Sequence, residues 1–236
     1  MGERRGPLVL YLMQRIPRMK QAPKTLYDTN TLNQCHADTT VVHCWLRTSE
    51  YCIPLLIQQN VDGSDYFNRS WSEYKAGFYH SNGNYWLGNE LISQLSQTGR
   101  YKLRFDLHKA HSDSWYYAEY HTFTVSGEAY NYQLHVSVYT GNTGYDALSR
   151  HDGMMFTTWD RDNDPWTNPR YYNNCAIYSG GGFWWTSYLG YCGSCDVNAV
   201  RDTDEDFSWD LERGQLKLQT SRMWLQCKYP LSHHSK

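Results

Sequence analysis

The chain reads as an α+β domain: a central antiparallel sheet with flanking helices, followed by a loop-rich carboxy-terminal part. Three observations carry that reading. Apolar and polar residues alternate from Tyr101 to Leu107 and again from Tyr132 to Val138, the period of half-buried strands. Apolar residues at Leu91, Ile92 and Leu95 follow Asn89, with Gly99 beyond them, the pattern of a capped helix with a glycine stop. After His151 the chain fills with Gly, Asn, Asp and aromatic residues, which favour turns and irregular backbone.

In chain order, residues 1–56 show little pattern and are taken as a divergent amino-terminal segment. Regular patterning starts at Ile57 and runs to residue 228, and 229–236 form a polar tail. Asn68 to Gly77 has helix-like content ending in glycine. The stretch Tyr116 to Val125 is rich in β-forming residues, and a last strand pair is expected near Phe207 to Trp209 and Gln215 to Leu225. Strands separated by short polar turns pair antiparallel.

Composition narrows the functional classes. The chain has 236 residues, a formal net charge of -2 and 16% aromatic residues, with 21 Tyr and 10 Trp. Mean hydropathy is -0.74 and the isoelectric point is near 6.5. That balance gives no electrostatic footprint for nucleic acid or anionic membrane. No apolar run reaches the roughly 18 residues of a membrane span. Buried rings therefore supply most of the core, and their polar atoms need partners. Seven cysteines suggest an oxidising, extracellular compartment, with at least one thiol free or bonded to another chain. Residues 1–20 lack the apolar core and small-residue cleavage site of a convincing signal peptide.

The segment from Met154 to Trp166 is the most informative. It places Asp160, Asp162 and Asp164 on alternate residues within a frame of Trp159 and Trp166. Such spacing can aim several oxygens at a hard cation such as Ca2+, and it also suits a solvated acidic turn. An EF-hand is excluded, because counting from Asp160 the required Gly and Glu places hold Pro165 and Tyr171. Asp-x-Asp also occurs in nucleotide-sugar transferases, which need an upstream nucleotide-binding α/β unit. No such unit is present, nor a Gly-x-Ser-x-Gly or His-Glu-x-x-His motif, so the chain is not read as an enzyme.

Several blocks occur together in order: Ile57 to Phe78, opening Ile57-Gln58-Gln59-Asn60; Tyr85 to Glu90; Tyr101 to Leu107; His151 to Phe156; and Met223 near the end. Over roughly Ile57 to Trp224 the chain resembles the fibrinogen-related domains of fibrinogen chains, ficolins, tachylectins and angiopoietins. The resemblance implies a calcium site with Asp162 and Asp164 as side-chain ligands, carbonyls of Trp166 and Asn168 completing it, and Asp160 orienting the loop. It implies a disulfide between Cys175 and Cys192, often preceded in the family by a cis bond, here Tyr191-Cys192. It implies a ligand pocket at Tyr178, Tyr191, Cys192 and Gly193, and a secreted calcium-binding recognition module of innate-immune, lectin-like type that takes a glycan or protein ligand. A non-lectin interaction module, with calcium only stiffening the loop, is the alternative.

Departures from the family pattern shape the expectation. Acetyl-binding members carry His after the second cysteine, where this chain has Gly193. The stretch from Asn198 to Trp209 is short and acidic, with Asp202, Asp204, Glu205 and Asp206. Weak or no binding of acetylated sugars is expected, with a preference for a cationic or protein ligand at that acidic rim. The family's Gly-Gly-Gly-Trp run and paired cysteines before the Gln-Gln block are not recognisable. Pairing of Cys35, Cys44, Cys52, Cys195 and Cys227 stays open, a Cys195–Cys227 bond included. Zinc at Cys192-x-x-Cys195 would want a second Cys or His pair, and none is close in sequence. Asn68-Arg69-Ser70 is a glycosylation sequon. His43, His80, His108, His111, His121 and His135 are scattered and read as structural or surface residues. Self-association stays open, although no collagen-like or coiled-coil stretch is present.

Overall fold

Alternating sequence becomes one antiparallel sheet. In this computed structural model, which describes residues 52, 54–188, 190–200 and 207–228, the strands are β1 (Leu55–Asn60), β2 (Phe78–Tyr79), β3 (Tyr85–Trp86), β4 (Tyr101–Lys109), β5 (Trp115–Val125), β6 (Leu134–Gly141), β7 (Ser208–Asp210) and β8 (Gln215–Cys227). Their order is β2-β3-β1-β8-β4-β5-β6, with β7 beside β8. β8 runs up the middle, pairing Leu55 to Leu225 on one side and Phe105 to Met223 on the other. β4, β5 and β8 lie where the sequence put them, lengthened by one or two residues at an end, whereas β6 starts at Leu134 rather than Tyr132 and runs on to Gly141, and β7 is shifted by one residue. Leu103, Phe105 and Leu107 of β4 are fully buried, as a period-two face requires.

Among the described residues there are three α-helices: α1 (Trp71–Ala76), α2 (Asn89–Ser96) and α3 (Cys175–Ser179). α1 begins with a capping box. The Ser70 hydroxyl accepts from Glu73 N–H while Glu73 Oε2 accepts from Ser70 N–H, which satisfies two donors the helix leaves open. Gly77, at φ 85°, closes it, because only glycine takes that backbone without strain. α2 corrects the expected cap. Gly88, not Asn89, is the N-cap. The Asn89 Oδ1 is used instead by the buried Trp86 indole N–H at 2.9 Å, a tertiary demand that overrides local capping.

The core is aromatic. Trp86, Trp184, Trp185, Tyr74, Tyr132 and Phe156 are almost wholly buried, and most of their polar atoms find partners. The Trp184 indole donates to Tyr132 O at 2.7 Å and the Trp185 indole to Gly181 O at 3.0 Å. Tyr74 donates to Phe67 O and accepts from Gly182 N–H. A Cβ on Gly182 would sit 2.6 Å from the Tyr74 ring, so this glycine is fixed by close approach rather than by flexibility. One buried polar knot fastens the sheet to the carboxy-terminal part. Gln58 Nε2 of β1 lies within hydrogen-bond reach of Val197 O, Asn198 Oδ1 and Ser221 Oγ, and Asn198 Nδ2 donates to Gly182 O.

Two disulfides are present among the described residues. Cys175–Cys192 is the pair the resemblance implied. Cys52–Cys227 joins the entry to β1 with the exit of β8 across 175 residues. The open Cys195–Cys227 pairing is thereby overturned: Cys195 is a buried free thiol, held in a bridge with Trp209. Zinc at Cys192-x-x-Cys195 is excluded as well, since the Cys192 sulfur is already bonded. The bond before Cys192 is trans, like every described peptide bond, which corrects the expected cis geometry; a cis bond without proline costs about 3 kcal/mol and persists only where surroundings impose it. Cys35, Cys44, His43 and the acidic stretch 202–206 lie outside the described residues, as does the polar tail from residue 229. Among the described residues no helix is long and apolar enough to cross a membrane.

Candidate functional site

The acidic loop is built from side chains that capture backbone groups. Thr158 and Arg161 exchange both backbone hydrogen bonds, closing a tight turn. Asp160 Oδ1 accepts from the Trp71 N–H at the start of α1 and from the Thr158 hydroxyl, both at 2.8 Å. Asp160 thus faces away from the other two carboxylates and ties the loop to a helix. Arg161 adds to that tie: its guanidinium lies 4.0 Å from the Trp71 ring centroid and bonds Asn131 Oδ1. Asn163 donates to Phe156 O at 2.7 Å, and Asn174 Nδ2 donates to Thr158 O at 3.0 Å.

Asp162 and Asp164 converge. Asp162 Oδ1 accepts from Asp164 N–H at 3.3 Å. Asp164 Oδ1 accepts from Trp166 N–H, and its Oδ2 accepts from Cys175 N–H, both at 3.0 Å. Burial pushes the Asp164 carboxyl up to about 7, the neighbouring Asp162 charge adds to the rise, and the two backbone N–H groups oppose it. A half-buried carboxylate with an exposed one beside it forms a site that a cation would relieve. The carbonyl candidates differ. Asn168 O already accepts from Tyr171 N–H and Asn173 N–H, in the 3-10 turn Pro169–Tyr171 that the Asn168 side chain caps. Trp166 O accepts no backbone hydrogen bond among the described residues. No group of three or more His, Cys, Asp or Glu converges anywhere in the described residues, so a cation here would need carbonyl oxygen beside the two carboxylates.

Tyr178, Tyr191, Cys192 and Gly193 come together on one groove of about 610 Å3. Three features of the groove escaped sequence reasoning. Tyr188 adds a third ring, on a turn in which Tyr188 and Tyr191 exchange backbone hydrogen bonds. Asp196 and Asp210 also line the groove; burial raises the Asp210 carboxyl above its ordinary range, while Ser194 and Gln215 bond it and oppose the rise. Acidic character thus enters from inside the groove. The floor rests on His151, which is fully buried. Its Nδ1 lies 2.8 Å from Trp184 O, and its Nε2 accepts from Ser194 N–H at 3.1 Å. The first contact requires Nδ1–H and the second a bare Nε2, so the ring is neutral and of one tautomer. Burial depresses its pKa to about 4. Gly193, at φ 147°, has no room for a side chain: a Cβ there would fall 2.2 Å from His151 Cε1. The only sequence signal for His151 was its place just before the acidic loop.

The two halves of the site share a wall. The Asp164 carboxylate holds Cys175, the first residue of α3, and α3 carries Tyr178. Tyr178 packs 5.2 Å from Trp166 and 4.8 Å from Tyr171, ring centroid to centroid. The Trp166 indole reaches over to donate to Gly190 O at 2.9 Å. Asn68 is exposed and follows the 3-10 turn Asp65–Phe67 rather than lying in a helix. His80, His111, His121 and His135 are exposed, and His108 stacks on Trp115.

Comparison with known proteins agrees with this architecture. The family described as fibrinogen beta and gamma chains, C-terminal globular domain, matches residues 21–225. Human angiopoietin-related protein 1 is 42% identical over 132 residues, 56% of this chain and 26% of its own length; the chain spans about a quarter of that relative. The fibrinogen-like globe domain of human ANGPTL2 superposes with a TM-score of 0.64 at 34% identity, covering 75% of this chain and 81% of that one. A lamprey fibrin D-dimer solved with the peptide Gly-His-Arg-Pro-amide gives a TM-score of 0.58 at 29% identity, covering 77% and 63%. The chain belongs to the fibrinogen C-terminal domain family.

Proposed function

We propose that this member of the fibrinogen C-terminal domain family is an extracellular recognition module whose groove takes a basic group of a protein ligand. The observation that carries the reading is the lining of the groove. Tyr178, Tyr188 and Tyr191 surround a space that also holds Asp196 and Asp210. Tyrosine faces attract cations, and carboxylates in a partly desolvated cleft strengthen that attraction and fix its direction. An acetamido group asks for something else: a donor beside the second cysteine and an apolar cage. Gly193 supplies no side-chain donor, and His151 beneath it blocks the space where one would begin. The peptide named with the lamprey fibrin structure carries an arginine, the class of ligand this groove suits.

Calcium belongs to the same proposal as a stabiliser of the loop. Asp162, Asp164 and the Trp166 carbonyl are the groups to hold it, with Asn168 O the weakest member because two N–H groups already use it. A bound Ca2+ supplies charge neutralisation that lets both carboxylates stay ionised. Asp164 then keeps its hold on Cys175 and Trp166, and through them on the ring of Tyr178. Neither a catalytic group nor a glycan contact enters this reading, so the lectin-like alternative becomes an outcome of the test. The test is competition on two resins in millimolar calcium, one acetylated and one carrying Gly-His-Arg-Pro-amide. Retention on the peptide resin, lost with Asp210→Asn, is expected. Retention on the acetylated resin alone, with elution by free N-acetylglucosamine, would refute the reading.

A further inference from the structure

The turn from Thr186 to Tyr191, in which Tyr188 and Tyr191 exchange backbone hydrogen bonds, brings in two of the three groove tyrosines, and it is held at two points from outside. One point is Trp166, whose indole bonds Gly190 O. The other is Arg150. Its guanidinium lies 3.5 Å from the centroid of the Tyr188 ring, while its Nε donates to the Tyr145 hydroxyl at 2.7 Å. Arg150 does not line the groove, whereas Tyr188 does. The stem of Arg150 is anchored in turn, because the next residue is His151, locked between Trp184 O and Ser194 N–H.

We propose that Arg150 is a positioning residue that sets the specificity of the groove, by stacking on Tyr188 and fixing its ring beside Tyr191 to receive a flat cation. The inference rests on the reading of the groove as a site for a basic group. Two physical effects compete at Tyr188. A guanidinium on its outer side draws on the same ring that the ligand cation would use, and the Arg150 charge also acts on Asp210. Against this, an unfixed tyrosine on a six-residue turn must be ordered when ligand arrives, and that ordering weakens binding. Planar stacking of arginine on a ring is a preorganising contact that lysine does not reproduce. Ordering wins here because the guanidinium already has a second fixed partner in Tyr145, so little freedom remains to be lost.

The test is a double-mutant cycle on the full chain, with Gly-His-Arg-Pro-amide as the titrated probe in millimolar calcium. Arg150→Met keeps an unbranched apolar stem and removes the planar cation. It should weaken the peptide by about two- to tenfold, and Arg150→Lys should recover only part of the loss. In a Tyr188→Ala background the same Arg150→Met change should alter affinity by less than about twofold, because coupled neighbours are not additive. A ligand-free readout accompanies it: nitration of Tyr188, relative to Tyr191 in the same molecule, should speed up in Arg150→Met. An Arg150→Met effect of equal size with and without Tyr188, or an unchanged Tyr188 nitration rate, would overturn the role of Arg150 alone. No binding of the peptide by the unaltered chain would overturn the reading of the groove, and this inference with it.

Discussion

The central sheet and the 151–200 region satisfy their backbone groups in different ways. In the sheet the ladder does it: β4 pairs along its length with β8 on one side and β5 on the other. In the 151–200 region short backbone turns and bridges share the work with single side chains. Asp160 takes Trp71 N–H, Asp164 takes Trp166 and Cys175 N–H, Asn174 takes Ile177 N–H and His151 takes Ser194 N–H. A ladder spreads its stability over many equivalent bonds, so one side chain more or less changes little beyond its own packing. A region held in part by single side chains can be taken apart one residue at a time. It can also be tuned that way, and the groove and the acidic loop both sit there.

The comparison breaks most visibly if the two regions come apart together. Replacing Cys175 and Cys192 with serine should cost on the order of 3 kcal/mol, the chain-entropy value for a loop of this size. The expected pattern is uneven: amide protection lost across 175–200 and kept in β4, β5 and β8, read by hydrogen exchange. Equal loss of protection in both regions would show that they unfold as one unit.

Acid should act on the loop region through His151. Its folded pKa, about 4 against an ordinary 6.5, lies below that of the unfolded chain, so the unfolded state binds the proton first as pH falls. The neutral ring therefore contributes fully above about pH 6.5, and its contribution is lost progressively toward pH 4, on the order of 3 kcal/mol in all. Thermal unfolding of the wild type should fall more steeply over that window than that of His151→Gln, which has no proton to gain. Parallel curves would place the acid sensitivity elsewhere.

A smaller effect is expected from calcium. A ligand bound only by the folded state raises the melting temperature by mass action. Millimolar calcium should do so for the wild type, and Asp162→Ala with Asp164→Ala should abolish the response. Asp160→Ala should lower stability by about 1 kcal/mol, as losing a carboxylate cap does, yet leave the calcium response in place, because Asp160 is spent on Trp71 and Thr158. An identical response in all three proteins would remove the acidic loop from the account.

What could be read from sequence follows the same division. Period-two alternation announced β4 and most of β6, since a strand's face is a local property of its residues. Asn89 misled, because its carboxamide answers to Trp86 rather than to its own helix. His151 could not be foreseen. Its partners lie 33 and 43 residues away, and nothing in its neighbours marks it as buried. The Cys52–Cys227 bond spans 175 residues and was equally invisible to spacing. Tyr178, Tyr191 and Gly193 were reachable only by resemblance, and that resemblance gave no hint of Tyr188, Asp196 or Asp210, which belong to the Tyr188–Tyr191 turn and to the flanks of the bridge between Cys195 and Trp209.

The link from the acidic loop to the groove is tested most directly by titrating Gly-His-Arg-Pro-amide calorimetrically into the wild type, in millimolar calcium and then in chelator. Asp164 holds both the loop and the start of α3, so saturable binding in calcium should weaken by about tenfold or more in chelator, a coupling of about 1.4 kcal/mol. Identical affinities in the two buffers would contradict the coupling.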